Sequence, residues 1–340
     1  AGTQTLTGNS TLGSLLVQRA AGAGETSTLS LAGAGSTTAT FVGVGNPFNV
    51  GGLAGSAVLN VQDTHNLQVN GELYLGEQAG NPGNLTQSGG TIGVTGQIRV
   101  GHWPAETSMY NMSGGVLNSN GGLYVGWDGV GLMNVSGSAD VNANGNTFVQ
   151  SNSTLTISDN ATFDTPFLSI GDQRGSGTVV QNGGDVSVVG ETRIGHWPNS
   201  GNYDISAGTL TSGGQITVGW DGVGQFDVSG SAVVTTRDLL ISRNNVGILN
   251  QTGGIINVTG PTTHTVADGG AGTVNHSGGI TNVTGAMNIG TSTGIGIYNL
   301  SNAGELDFLD TAIGTQVAQT NPSTLTVGEN GTFNFDGGIL

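Results

Sequence analysis

The side chains able to do chemistry in this chain are few and patterned. All four Trp sit in duplicated motifs: Trp103 and Trp197 in Gly-His-Trp-Pro, Trp127 and Trp220 in Gly-Trp-Asp-Gly-Val-Gly. Aligning Gly101 with Gly126 sets His102 beside Trp127 and Trp103 beside Asp128, on adjacent repeats at one corner. The second copy does the same with His196, Trp197, Trp220 and Asp221. Such a corner can be an exposed aromatic platform for sugar rings or for a neighbouring molecule. It can equally be a packing device, in which Trp covers a coil edge and His or Asp fixes the turn. Residue type alone leaves both readings open, and these residues are the candidate ligand contacts.

Other chemistries find little to work with. The His residues (65, 102, 196, 264 and 276) show no His-Glu-x-x-His or similar ligand spacing, and the chain has no Cys. Asp128 and Asp221 could each offer an oxygen to Ca²⁺ at a turn, but the Gly-Gly-x-Gly-x-Asp nonapeptide of Ca²⁺-binding β-rolls is absent. No cofactor is therefore expected. The Arg residues (19, 99, 174, 193, 237 and 243) read as scattered, with Arg99 and Arg193 duplicates and Glu191–Arg193 a same-face pair. No pair of acids is backed by a cation and no Ser/His/Asp set is legible, so the chain does not read as an enzyme.

Composition narrows the partners. There are 22 acids against six bases, a net charge of −16, and Gly makes up 64 of 340 residues. A chain this acidic is not built to hold a phosphate backbone, whose affinity comes from clustered Lys and Arg. No apolar run approaches the ~20 residues of a membrane span. Frequent Gly argues against long helices, and its spacing is not that of collagen. The sequence starts at Ala1 without Met, the expected state after removal of a signal peptide. Abundant Ser, Thr, Asn and Gly without thiols suits an extracellular protein of a bacterial cell surface.

The elements that must position these residues come from a repeat. Tyr203, Ile205, Leu210, Ile216, Val218 and Val223 recur as Phe226, Val228, Val233, Leu239, Ile241 and Val246. Apolar residues two apart signal strands with one buried face, and Gly-rich turns such as Ser212-Gly213-Gly214 separate them. A unit of two or three short strands cannot bury its own face and must stack on its neighbours. The expectation is an all-β, right-handed parallel β-helix (β-solenoid) of about 23 residues per coil and roughly 14 coils. Residues 1–54 read as irregular coils or an arm and 55–340 as the regular solenoid, with a block at about 83–176 duplicated at about 177–270. Gln87, Gln181, Gln251 and His276 fall where other coils place apolar residues, and if they point inward they need partners on the neighbouring coil. Twelve Asn-x-Ser/Thr sequons, among them Asn84, Asn111, Asn134, Asn250 and Asn282, are expected mostly at one phase of the repeat.

Units such as 123–141 (LYVGWDGVGLMNVSGSADV) and 216–234 (ITVGWDGVGQFDVSGSAVV) resemble the Val-Gly-x-x-Gly-x-Gly-x-Leu-x-Val-Ser-Gly-Gly repeats of exported bacterial surface proteins. Those occur in autotransporter passengers and in PEP-CTERM-type proteins, including planctomycete ones. The resemblance covers about 55–340 and implies a right-handed β-helix used as a stalk or surface scaffold.

The function expected is structural: an extracellular protein whose copies stack head to tail into filaments. Open strand edges attract other chains, and such contacts do not close on themselves. The joint would use segments 1–20 and 323–340, with Thr3, Thr5 and Leu6 meeting Leu325, Val327, Phe333, Phe335, Ile339 and Leu340 of the next copy. The alternative is a surface adhesin or stalk that binds extracellular polysaccharide through the Trp/His corners.

Overall fold

The computed structural model describes residues 2–17, 26–44, 56–76, 82–105, 107–261, 264–309 and 324–340; residues 1, 18–20 and 323 of the expected joint lie outside them. The protein is all-β, a parallel β-solenoid of about 11 turns with about 24 residues per turn. The roughly 14 coils expected from sequence are thus too many: about 11 turns of about 24 residues take up about 264 of the 340 residues, whereas the expectation assigned the whole length to coils. Among the described residues there is no helix. The chain divides into two compact units, Ala1–Pro166 with Gly177–Val179, and Phe167–Ser176 with Val180–Leu340.

From Ser56 to Val149 in the first unit each coil carries three short strands. Gly83–Gln87, Thr91–Val94 and Ile98–Val100 form one coil, followed by Thr107–Met112, Val116–Ser119 and Leu123–Val125. Pairing is parallel and in register: Leu85, Tyr110, Met133 and Leu155 line one inward column. Ile92, Leu117, Val141 and Phe163 line a second. All eight are fully buried, at ~1.5–3 kcal/mol each for side chains of this size. The alternation of buried and half-exposed residues along each strand produces this core. Nearer the N-terminus, Gly2–Leu6 pairs with Thr26–Leu31 and Ser10–Val17 with Ser36–Val44.

In the second unit Tyr203, Phe226, Leu249, Val274, Tyr298 and Phe333 form one column. Here the structure corrects the sequence alignment in two places. Leu210 pairs with Val234, not Val233, because the second coil carries one more residue before this strand. A one-residue slip swaps the two faces of a strand, and Leu210 and Val234 are the buried pair. The register returns across a bulge between Ser212 and Gln215. Val223 and Val246, which recur in register with the core positions, are 41% and 37% exposed at a corner.

The inward polar side chains find partners across coils. Gln87 donates to Val116 O (3.0 Å) and accepts from the Tyr110 hydroxyl (2.5 Å). Gln181 repeats this with Thr209 O (2.8 Å) and Tyr203 (2.7 Å). Gln251 donates to Ile280 O (3.0 Å). His276 Nδ1 meets the Tyr298 hydroxyl at 2.9 Å and Nε2 meets Gly279 O at 3.0 Å. Each pair satisfies buried groups that would otherwise carry the full desolvation penalty.

Candidate functional site

Both Trp corners begin with a Gly that only Gly can supply. Gly101 and Gly195 have φ of +78° and +73°, and a Cβ on either would sit about 2.5 Å or less from the backbone of the next coil. Their carbonyls hold the next corner in place. Gly101 O accepts from Trp127 N (2.9 Å) and Gly129 N (3.1 Å), and Gly195 O accepts from Trp220 N and Gly222 N, each at 3.0 Å. The alignment of Gly101 with Gly126 therefore describes a real neighbour relation, as does that of Gly195 with Gly219.

The rings at the two corners take different environments. Trp103 and Trp197 are 45% and 44% exposed, whereas Trp127 and Trp220 are half-buried. His196 lies between Trp197 (5.9 Å) and Trp220 (6.0 Å, edge-on). His102 stacks on Tyr74 at 4.3 Å and meets Trp103 edge-on at 5.9 Å. Asp128 is exposed. Asp221 works within the corner, its carboxylate accepting from Asn244 (2.7 Å) and its carbonyl from Asn245 (2.9 Å).

Sequence reasoning missed the arginines. Arg99 lies over Trp127 at 3.7 Å and near Tyr74 at 4.8 Å. Arg193 lies over Trp220 at 3.7 Å, and Arg243 lies over the same ring at 3.8 Å. Each such contact is worth ~0.5–2 kcal/mol, more as it is desolvated. The signal was present: Arg stands immediately before the shared motif in both copies, as Arg99-Val100-Gly101-His102-Trp103-Pro104 and Arg193-Ile194-Gly195-His196-Trp197-Pro198. Read as scattered, Arg99 and Arg193 are in fact set on outward strand positions that face the Trp of the next coil, and Arg243, just past a strand end, reaches the Trp of the coil before it.

The outward columns differ between the two units. In the first, Tyr74, Arg99, Tyr124 and Phe148 are in register on successive coils, and the rings of Tyr124 and Phe148 stack at 5.0 Å. In the second, the column reads Ser169, Arg193, Thr217 and Leu240. There Ser169 Oγ donates to Asp172 Oδ2 (2.6 Å), which also lies 2.9 Å from His196 Nδ1. Burial works to raise the Asp172 carboxyl, but hydrogen bonds from His196, Ser169 and the Gln173 amide, with the charge of a protonated His196, hold it below the usual carboxylate range. Ser169 and Asp172 both address the same imidazole nitrogen, so the set lacks the base-between-two-partners order of a nucleophilic triad.

The remaining His are structural. His65, His264 and His276 are buried, and His65 bonds Thr37 (3.0 Å) and Ala32 O (3.2 Å). Among the described residues no group of three or more His, Cys, Asp or Glu side chains converges as a metal site would. The sequons do not share one phase. Asn111 and Asn134 share a column, Asn250, Asn275 and Asn299 share one in the second unit, and Asn84 and Asn282 lie elsewhere. Their alignment serves side-chain ladders: Asn334 donates to Asn299, Asn299 to Asn275, Asn275 to Asn250 and Asn250 to Asp227, at 2.7–2.9 Å.

The residues expected at the joint lie on the strand Gly2–Leu6, on the strands Thr324–Val327 and Gly331–Asp336, and at Ile339 and Leu340 beyond them. Thr3 and Thr5 are exposed and Leu6 half-buried on Gly2–Leu6, which among the described residues pairs on one side only. Leu325 and Phe333 are half-buried, while Val327, Phe335, Ile339 and Leu340 are 47%, 55%, 56% and 62% exposed.

The sequence matches no family model and no curated protein. Among solved structures it is similar to the TibC-catalysed, hyper-glycosylated TibA fragment 55–350, at 16% identity over 96% of this chain and 99% of that one, with a TM-score of 0.25.

Proposed function

We propose that this protein is an extracellular structural element of a bacterial surface, whose copies add end to end into a filament. The observation that carries the reading is the apolar face of the last coil, where Val327, Phe335, Ile339 and Leu340 stand exposed beside the strand Gly331–Asp336. A second copy supplies the matching surface. Its strand Gly2–Leu6 pairs on one side only among the described residues, and a groove of about 360 Å³ opens there between Gly2, Gln4, Leu16, Val17 and Ser27–Leu29. A parallel ladder is complementary to a translated copy of itself, so the joint continues the pairing used within each unit. Electron microscopy of the full chain at neutral pH is expected to show thin unbranched filaments. The Phe335→Asp/Ile339→Asp variant is expected to give discrete particles with an unchanged circular dichroism spectrum. Discrete particles from the unaltered chain, or undiminished filaments from the variant, overturn the proposal.

A second reading rests on a separate observation. Trp103 and Trp197 each leave nearly half their surface open, each against a His that in turn touches an Arg. An indole with a free face and polar neighbours suits a sugar ring. On this reading the filament or stalk carries polysaccharide at its corners, through Trp103 and Trp197 more than through Trp127 and Trp220, whose faces are covered by guanidinium groups.

A further inference from the structure

The two corners differ in charge. Arg193 is neutralised by its own strand: Nε and Nη2 donate to Glu191 Oε2 at 3.0 and 2.7 Å. Its Nη1 lies 3.1 Å from His196 Nε2, and His196 in turn reaches Asp172. The corner is thus an internally closed chain of acid, guanidinium, imidazole and acid. At the same place in the first copy, Gln97 stands where the second has Glu191. Arg99 Nε and Nη2 donate to the amide oxygen of Gln97 at 3.1 and 2.6 Å, and Nη1 lies 3.3 Å from His102 Nδ1. Among the described residues no carboxylate forms an ion pair with Arg99. Glu72, on the preceding coil, is engaged by the Tyr74 hydroxyl.

Among the described residues Arg99 is thus without an ion-paired carboxylate while half-buried against Trp127 and Tyr74; the Glu72 carboxylate keeps its charge but is held by the Tyr74 hydroxyl and makes no ion pair with Arg99. A partly desolvated guanidinium without an anion is costly, and a carboxylate offered to its spare N–H groups relieves that cost. The exposed indole of Trp103 meets His102 edge-on, and His102 in turn touches Arg99. In a chain of net charge −16, with only six bases, a guanidinium with no ion-paired carboxylate among the described residues, linked through His102 to an exposed indole, is a selective feature. We infer that the first corner is a subsite for an acidic glycan, with a uronate carboxylate on Arg99 and a sugar ring against Trp103. The second corner, carrying its own carboxylate at Glu191, takes neutral sugar only. This inference rests on the glycan reading of the corners.

The test exchanges the two residues that set the difference. An oligoglucuronate and its methyl ester, a neutral chain of otherwise equal shape, are titrated into the full protein at ~0.15 M salt, where the Debye length of ~8 Å confines the repulsion of the net charge. Gln97→Glu is expected to lower affinity for the oligoglucuronate about tenfold or more and leave the ester within about twofold. The double exchange Gln97→Glu/Glu191→Gln holds the net charge constant. It is expected to restore binding and to shift its dependence from Trp103→Ala to Trp197→Ala. Equal binding of acid and ester, indifferent to Gln97→Glu, overturns the acidic class and leaves the glycan reading standing. Binding of neither chain overturns both.

Discussion

His276 holds a place in the core that the preceding coil gives to Gln251, and its two hydrogen bonds define its state. Nε2 faces a carbonyl and so carries the proton, while Nδ1 is left to accept from Tyr298. A second proton on Nδ1 would force the Tyr298 hydroxyl to turn its hydrogen elsewhere, and burial pushes the His276 pKa below its ordinary value of 6.5, against a smaller opposing effect of the Gly279 carbonyl. The sign follows directly. The folded pKa is depressed, so this contribution to stability is fully present above about pH 6.5 and is lost as pH falls toward the folded value. Thermal unfolding of the wild type is therefore expected to weaken across that window. His276→Gln, which can accept from Tyr298 and donate to Gly279 O, is expected to flatten that part of the profile. An unchanged pH profile in the variant would show that His276 does not titrate there. The core glutamines follow the same logic without a titration, which is why one column can alternate Gln, His and aliphatic side chains.

At the scale of the coil, Gly195 illustrates what fixes the path of the chain. Its φ is +73°, and a Cβ would lie 2.4 Å from Val223 O on the next coil. Gly195→Ala is expected to cost at least ~1–3 kcal/mol from the backbone conformation alone, with the clash added. Gly13→Ala, on an N-terminal strand with nothing near its Cβ, serves as the control with a midpoint close to wild type. The comparison is read from denaturation midpoints. Much of this level was legible in the sequence, because period-two burial and Gly-rich corners repeat with the coil. What failed did so for local reasons. Counting a fixed offset could not see the extra residue that sets Leu210 opposite Val234, nor that Val223 and Val246 face solvent. The corners were found from Trp and His, but the role of Arg99, Arg193 and Arg243 was not. Arg recurs ahead of the motif in both copies, but a guanidinium over a ring joins residues a whole coil apart, and its contact follows only from the register between coils.

For the molecule as a whole, net charge governs how copies meet side by side. With 22 acids and six bases, neighbouring molecules repel at neutral pH. Light scattering is expected to rise steeply near the sequence pI of about 4.2, where that repulsion vanishes, and to fall again above it. Particles that stay dispersed at that pH would show that charge does not control association. Asp204 adds a local version of the same effect: burial and the neighbouring charge of Asp227 both raise its carboxyl, so it accepts a proton early as pH drops. One feature of the second unit also bears on how the fold carries load. Arg193, Trp220 and Arg243 come from three successive coils, and the indole is gripped on behalf of both neighbours. Ladder hydrogen bonds between coils point along the stacking direction, so tension would open them one coil at a time. Trp220 acts as a rivet through that seam. A coil that begins to peel drags on the next two, and rupture there must proceed in steps of several coils instead of one.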